Sequence, residues 1–215
     1  MALIFFDWDG TLCKGEVAEQ GCVKLNEMLG NKVSKEIMIN GHKDNSHFDE
    51  IRKSLQNYTG IINNNELTKM MTNIFEINYL NIIKEKGNDS LYSGINNLIK
   101  ELKQNNHKII IISSSTYGTV KNSSDLLNLK FDAIYANDSY LTKSKRDLFL
   151  KAANELGEPI AMIGDREEDM LSKEGFSTKI IFCQWGHGVL KKALPDYKIN
   201  NVTELKNAFI DLKLL

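Results

Sequence analysis

The sequence has few cysteines and prolines, no long hydrophobic run and almost no net charge. Its three cysteines, Cys13, Cys22 and Cys183, are odd in number and form no C-x-x-C pair. This argues against a disulfide framework or a structural zinc site and fits a reducing cytoplasm. Each cysteine is instead expected to act as a small buried hydrophobic residue.

The other shortages exclude further classes of protein. The longest apolar runs hold five or six residues, too few to span a bilayer. A net charge of −1 leaves no surplus of basic residues that would indicate binding to nucleic acid or to an anionic membrane. The first residues have no basic segment and soon reach Asp7, so no signal peptide is expected. We therefore predict no membrane partner and no nucleic-acid partner.

Short apolar runs recur along the chain and predict the fold. Because these runs are apolar at every position, they are typical of parallel strands that are buried on both faces. Helical patterns lie between the later runs, and this alternation predicts an α/β fold with a doubly wound, Rossmann-like parallel sheet. The predicted strands are 2–6, 109–112, 133–136, 160–163 and 180–183.

The helices of this region differ in the strength of their signals. The clearest runs from Ser144 to Leu156, where Ser144 and Asp147 form a capping box and Gly157 ends the helix. Apolar spacing also predicts helices over 95–102, 125–130 and 169–174.

Residues 15–90 interrupt the alternation because they contain no convincing strand. They are too many for an ordinary connection between a strand and a helix. We predict a Rossmann-like core made of residues 1–14 and 91–215, with 15–90 inserted as a helical cap. Within the cap, helical spacing covers 17–29, 48–58 and 67–77.

Acidic residues follow two of the predicted strands. Ligands bind beyond the carboxyl ends of the strands in such a sheet, where Asp7, Ser113 and Asp165 are expected to converge. Asp7 and Asp9 point the same way in an extended chain, and Gly10 lets the chain turn. Carboxylates that gather in this way repel one another, and Mg²⁺ is the natural compensation because it prefers oxygen ligands.

Four short motifs occur in order. Asp7-Trp8-Asp9-Gly10-Thr11, the strand that ends at Ser113, a lysine at the start of a helix, and Gly164-Asp165 followed by Asp169 together resemble the haloacid dehalogenase superfamily. The segment that leads to the second motif is similar to the corresponding segment of this family. The segment from the fourth motif onward and the position of the cap are similar to its phosphoglycolate-phosphatase-like branch.

The resemblance implies a role for each acid. Asp7 would be the nucleophile that forms an aspartyl-phosphate, and Asp9 would be the general acid and then the general base. Asp7, Asp9 through its backbone carbonyl, and Asp165 would hold Mg²⁺. Asp169 would hold a metal-bound water or orient a neighbour, although an acidic first helical turn also explains it.

The resemblance leaves several residues open. Ser113 would bind a phosphoryl oxygen and Thr11 and Ser114 the substrate, but any hydroxyl of the run from Ser113 to Thr116 could face the phosphate. Lys143 and Lys145 both qualify as the lysine, and the capping box favours Lys145. A surface loop is the default expectation at 185–188, and the resemblance places this loop near the site without a definite role. His42, Lys43, His47 and Arg52 either contact the organic part of the substrate or form an exposed basic face.

The predicted function is a Mg²⁺-dependent phosphatase acting on a small phosphorylated metabolite. The alternatives are a phosphomutase with the same chemistry and a non-catalytic module that binds phosphorylated ligands. A haloacid dehalogenase is disfavoured because it needs neither an acid at Asp9 nor a metal. The protein is expected to act as a monomer or a homodimer.

Overall fold

A parallel sheet forms the centre of the protein in a computed structural model, which describes residues 1–28, 30, 34, 64–138 and 143–215. The described strands all pair in parallel, in the order β3-β2-β1-β4-β5-β6. This is the order of a doubly wound Rossmann sheet, so the predicted fold class is confirmed. The strands are β1 (Leu3–Phe6), β2 (Lys108–Thr116), β3 (Ala133–Asn137), β4 (Ala161–Gly164), β5 (Lys179–Cys183) and β6 (Tyr197–Ile199).

The central strands are buried on both faces, as their unbroken apolar runs predict. In β1, Ile4 and Phe6 pack into one hydrophobic cluster, whereas Leu3 and Phe5 pack into another on the opposite face. Successive strand residues point to opposite faces, so a strand covered on both sides needs apolar residues throughout.

Helices cover both faces of the sheet. Phe149 packs in the cluster on one face and Phe209 in the cluster on the other. The described helices are α1 (Gly15–Met28), α2 (Asn64–Lys86), α3 (Ile95–Gln104), α4 (Tyr117–Leu126), α5 (Lys145–Leu156), α6 (Glu167–Ser172) and α7 (Val202–Asp211), with a 3₁₀ turn over Gly87–Ser90.

Helices α1 and α2 occupy the described parts of the predicted cap, and neither 15–28 nor 64–90 contains a strand of the sheet. The chain crosses between core and cap at two neighbouring points. Lys14 N donates to Ser90 O at 2.8 Å, and Tyr92 N donates to Leu12 O at 3.1 Å. The predicted boundaries at 14/15 and 90/91 fall at this pairing and stay predictions. The helical pattern at 48–58 lies outside the described residues.

The sequence analysis predicted the wrong positions for two helices. The helix predicted at 125–130 is α4, which begins at Tyr117 because the Thr116 side chain accepts a hydrogen bond from Thr119 N. Its buried face includes Ser123 and Ser124, so hydrophobic spacing could not reveal it. The helix predicted at 169–174 is α6, which begins two residues earlier.

Other boundaries also changed. Strand β2 continues through the serines to Thr116, four residues beyond the apolar run. Strand β6 was not predicted, because it is only three residues long and has few buried positions. Helix α7 was also not predicted, although its buried residues follow helical spacing.

Candidate active site

The carboxyl ends of three neighbouring strands carry the predicted site. β1 lies between β2 and β4, so Asp7 and Asp165, each placed directly after its strand, come together at one edge. Asp7 N also donates to Ile163 O at 2.8 Å, which anchors the residue to β4.

Three carboxylates form a buried cluster at this edge. Asp7, Asp165 and Asp169 each offer an oxygen, and these oxygens all lie within 4.8 Å of one another. The three residues are 4%, 1% and 0% exposed. Asp169 reaches the cluster from the first turn of α6, where its Oδ2 accepts a hydrogen bond from Arg166 N at 2.9 Å. Asp169 therefore caps the helix and also belongs to the site.

Lys145 enters the cluster from the first position of α5. Its Nζ donates to Asp7 Oδ1, lies 2.9 Å from Asp169 Oδ1 and donates to Ile112 O at 3.1 Å. The capping box between Ser144 and Asp147 is present and places Lys145 at the start of the helix. Lys143 lies outside the cluster and is exposed, with its backbone N bonded to Asn137.

The cluster carries more acidic groups than Lys145 can neutralise. Burial raises the pKa of Asp7 well above its usual value, Lys145 opposes this, and Asp169 and Asp165 add to it. Burial and then Asp169 raise the pKa of Asp165. Burial disfavours the charged form of Lys145, but Asp169 and Asp7 outweigh it and raise the pKa of the lysine.

The donor set fits a hard divalent cation. Asp165 Oδ2 accepts a hydrogen bond from His187 N at 2.9 Å, but the buried Oδ1 has no hydrogen-bond partner in the described part of the chain. A buried acceptor without a partner is costly, and a cation would satisfy it. The set of carboxylate oxygens without sulfur or imidazole favours Mg²⁺.

Glycine keeps the space next to Asp165 open. Gly10 has a φ of +80°, and a Cβ atom there would lie 2.3 Å from Asp165 Oδ2. Only glycine accommodates both this backbone conformation and this close approach.

Asp9 lies outside the carboxylate cluster, although the alternation along the chain allows it to share the site. Its Oδ1 accepts a hydrogen bond from Tyr79 Oη, and its Oδ2 accepts one from Ser115 Oγ, both at 2.7 Å. Burial raises the pKa of Asp9, and these two hydrogen bonds lower it.

The remaining predicted residues lie near this edge. Ser113 is buried and its Oγ accepts a hydrogen bond from Ser115 N at 3.1 Å. Ser114 lines a cavity of about 290 Å³ together with Lys143 and Lys145. Thr11 is fully buried, and its Oγ1 has no hydrogen-bond partner among the described residues.

The loop at 185–188 is not a simple surface loop. Trp185 Nε1 donates to Thr11 O at 3.2 Å, and the loop supplies the His187 N–H to Asp165. A Cβ atom at Gly186 would lie 2.2 Å from Asp165 Cβ. The loop follows β5 at the carboxyl edge of the sheet, and this position was the signal that it belongs to the site.

Sequence reasoning also missed Tyr79 and Ser115 as partners of Asp9. Ser115 lies two residues after Ser113 in β2, so strand alternation could have placed both on one face. Tyr79 had no such signal, because its position on α2 also suits a core residue. His42, Lys43, His47 and Arg52 lie outside the described residues.

Comparisons with known proteins agree with this arrangement. A sequence model of the haloacid dehalogenase-like hydrolases matches residues 1–172, and no curated protein matches the chain. Among the described residues, no helix is both long enough and apolar enough to cross a bilayer.

Solved structures share the fold over nearly their whole length. A haloacid dehalogenase-like hydrolase from Streptococcus pneumoniae is 22% identical, with a TM-score of 0.70 and 97% and 98% of the two chains covered. A β-phosphoglucomutase from Clostridium difficile is 18% identical, with a TM-score of 0.71 and 100% of this chain and 97% of the other covered. A predicted phosphoglycolate phosphatase from Haemophilus somnus is 13% identical, with a TM-score of 0.67 and 97% of each chain covered.

Proposed function

Because the chain belongs to the haloacid dehalogenase-like hydrolases, we propose that it is a Mg²⁺-dependent phosphatase that hydrolyses a small phosphomonoester. The observation that carries this proposal is the contact of Lys145 with Asp7 inside a cluster that also contains Asp165 and Asp169. Asp9 stands two residues further on and outside that cluster. Phosphoryl transfer through a covalent intermediate uses a nucleophile, charge-neutralising groups and a separate proton donor, and this arrangement offers all three.

Asp7 acts first in the proposed reaction. One of its carboxylate oxygens attacks the phosphorus, and the bond between phosphorus and the ester oxygen breaks. The ester oxygen takes a proton from the Asp9 carboxyl group and leaves as an alcohol. The phosphoryl group is then held on Asp7 as an acyl phosphate.

Hydrolysis of this acyl phosphate restores the enzyme. The Asp9 carboxylate takes a proton from water as the water oxygen attacks the phosphorus. The bond between phosphorus and the Asp7 oxygen breaks, which releases inorganic phosphate and returns Asp7 to its carboxylate form. Asp9 now carries the proton that it donates in the next cycle.

The other residues neutralise negative charge and orient the reacting groups. Lys145 balances the negative charge that Asp7 shares with the phosphoryl group, and Ser113 and Ser114 donate hydrogen bonds to the phosphoryl oxygens. Asp7, Asp165 and the Asp9 backbone carbonyl would hold Mg²⁺, and Asp169 would either hold a metal-bound water or orient its neighbour Lys145. When bound, Mg²⁺ offsets the repulsion between the phosphoryl group and the carboxylates.

The cap supplies specificity in this proposal. Residues 15–90 would cover the core, formed by 1–14 and 91–215, and exclude water from the site. The substrate is a small phosphorylated metabolite, and a reducing cytoplasm suits the three free cysteines. The protein acts as a monomer or a homodimer.

Release of inorganic phosphate tests the proposal. The purified protein is incubated with a panel of phosphorylated metabolites and p-nitrophenyl phosphate, with Mg²⁺ or with EDTA. Asp7→Asn is the control, because it keeps the shape of the side chain but removes the nucleophile. We expect Mg²⁺-dependent release that falls about a thousandfold or more in the variant.

Other results would contradict the proposal. Release of phosphate by the Asp7→Asn variant at the wild-type rate would show that Asp7 is not the nucleophile. No turnover of any compound would favour a ligand-binding module. Conversion of a sugar phosphate into its isomer, detected by ³¹P NMR without inorganic phosphate, would identify a mutase.

A further inference from the structure

Two hydroxyl groups from distant parts of the chain hold the Asp9 carboxylate. Tyr79, on helix α2, donates to one oxygen, and Ser115, on strand β2, donates to the other, each at 2.7 Å. A carboxylate bonded at both oxygens cannot rotate about its Cβ–Cγ bond without breaking a hydrogen bond. The direction in which Asp9 presents its proton is therefore set by residues outside its own loop.

Tyr79 is itself tightly constrained. It is fully buried, and its hydroxyl accepts a hydrogen bond from Trp8 Nε1 at 2.9 Å. The hydroxyl lies 2.7 Å from Asp9 Oδ1 and 3.2 Å from Cys13 Sγ. A phenol has one proton to donate, and the shorter contact to a charged carboxylate is the stronger one. Tyr79 therefore donates its hydroxyl hydrogen bond to Asp9 rather than to Cys13.

Ser115 is, after Tyr79, the second residue that anchors the Asp9 carboxylate by a hydrogen bond. It lies two residues beyond Ser113 in β2, and its backbone N donates to Ser113 Oγ at 3.1 Å. The residue is thus held by its backbone as well as by Asp9. Its hydroxyl reaches Asp9 from the core, whereas that of Tyr79 reaches it from helix α2.

We propose that Tyr79 and Ser115 are positioning residues that aim the Asp9 carboxyl group at the leaving-group oxygen. This inference rests on the proposed phosphatase function, in which Asp9 is the general acid. Each Asp9 oxygen accepts one of these hydrogen bonds and retains a second lone pair for the transferred proton. Neither Tyr79 nor Ser115 is proposed to touch the substrate.

The proposal predicts that the loss of rate caused by removing a hydrogen bond to Asp9 depends on the leaving group of the substrate. An alkyl phosphate releases a strongly basic alkoxide, which must be protonated as it leaves. p-Nitrophenyl phosphate releases a weakly basic phenolate, which leaves without a proton. Loss of an anchor should therefore slow the first reaction much more than the second. A general defect in folding or in metal binding would slow both equally.

The experiment measures kcat/KM, which reports the steps up to release of the alcohol, for both kinds of substrate. Tyr79→Phe and Ser115→Ala should each lower kcat/KM for an alkyl phosphate about tenfold, a part of the factor of about 10²–10⁴ that general acids contribute. The value for p-nitrophenyl phosphate should change less than about twofold, since that step needs no general acid. Asp9→Asn should show the same selectivity with a larger loss.

Tyr135→Phe is the matched control. Tyr135 Oη also donates to a carboxylate, that of Glu155, at 2.6 Å. Glu155 lies ten residues after Lys145 on α5, about 15 Å along the helix axis. This variant loses the same kind of hydrogen bond outside the site, so both kcat/KM values should stay at the wild-type level.

The two anchors make the test robust to misfolding. Tyr79→Phe leaves the buried Trp8 N–H without its acceptor, so circular dichroism and the thermal midpoint accompany each assay. Ser115→Ala removes only a half-buried hydroxyl and leaves that network intact. It decides the question even where Tyr79→Phe is unstable.

Equal losses for alkyl and aryl phosphates in Ser115→Ala would overturn the inference, as would no loss for either. Both results presuppose a wild-type protein that releases phosphate. If the wild type is inactive on every substrate, the proposed function fails, and the positioning role falls with it.

Discussion

Replacing Asp165 by asparagine should stabilise the protein without Mg²⁺ and destabilise it, relative to wild type, with Mg²⁺. In the folded protein Asp165 is 1% exposed and shares a cluster with Asp7 and Asp169. Asparagine has the same shape, and its carbonyl can accept the His187 N–H as Asp165 Oδ2 does. Its amide can donate toward the neighbouring carboxylates, where Asp165 presents a further negative charge.

The size of the effect follows from the unpaired oxygen. A buried polar atom without a partner, such as Asp165 Oδ1, costs about 1–3 kcal/mol. Recovering about 2 kcal/mol raises the thermal midpoint of a protein of this size by about 4–8 °C. Mg²⁺ at a hundred times its dissociation constant should stabilise the wild type by about 2.7 kcal/mol. The variant should lose most of this gain, because it lacks the carboxylate that Asp165 is proposed to offer to the ion.

The pH dependence has a definite sign. Folding raises the pKa of Asp165, through burial and then Asp169. The folded state therefore loses stability as the pH rises through the raised pKa, and this cost is absent below the unfolded pKa of about 3.9. Without Mg²⁺, the advantage of the asparagine variant should be large at neutral pH and vanish in acid.

Differential scanning fluorimetry, with EDTA or with Mg²⁺, measures this crossover. Asp132→Asn is the control, because Asp132 also accepts a backbone hydrogen bond, from Ile109 N at 2.7 Å, and pairs with Lys103 outside the cluster. It should lower the midpoint slightly and equally in both conditions. An Asp165→Asn protein that is less stable than wild type in EDTA, or that gains as much from Mg²⁺, would refute the reasoning.

Two further substitutions probe the same cluster. Lys145→Met should cost about 3–5 kcal/mol in urea unfolding without Mg²⁺, because it leaves Asp7 and Asp169 buried and unpaired; unchanged stability would contradict the ion pairs described here. Gly10→Ala should weaken Mg²⁺ binding at least tenfold by calorimetry, about 1.4 kcal/mol, because the added Cβ atom would lie 2.3 Å from Asp165 Oδ2 and would displace that carboxylate. Gly157→Ala, with a φ of +102° and no atom within 4 Å of the added Cβ, should leave Mg²⁺ binding unchanged.

Local sequence patterns predicted most of the sheet and several boundaries of the helices. The run from Leu3 to Phe6 is apolar at every position because its successive side chains point alternately into the two hydrophobic clusters, one on each face of the sheet. The start of α5 follows from Ser144 and Asp147, which bond to each other's backbone within a single turn. These features involve residues only a few positions apart, so the sequence displays their cause directly.

The same locality explains the errors. The buried face of helix α4 is mostly serine and threonine, which are covered by α2 and by strands β2 and β3, so hydrophobic spacing missed it. The loop at 185–188 was expected near the site, but its contacts with Asp165 and Thr11 were not predicted, because neither contact leaves a pattern inside the loop.

By itself, the sequence determined the kind of sheet and the acidic residues that follow its strands. Burial of a strand and the position of its end are both indicated by residues that are adjacent in the sequence. Tertiary structure decided that Lys145 rather than Lys143 contacts Asp7, and that Asp9 is held by Tyr79 and Ser115. Tyr79 lies 70 residues from Asp9 along the chain. Such partners become neighbours only when helices pack on the sheet, and no periodicity within either segment specifies which side chains will meet.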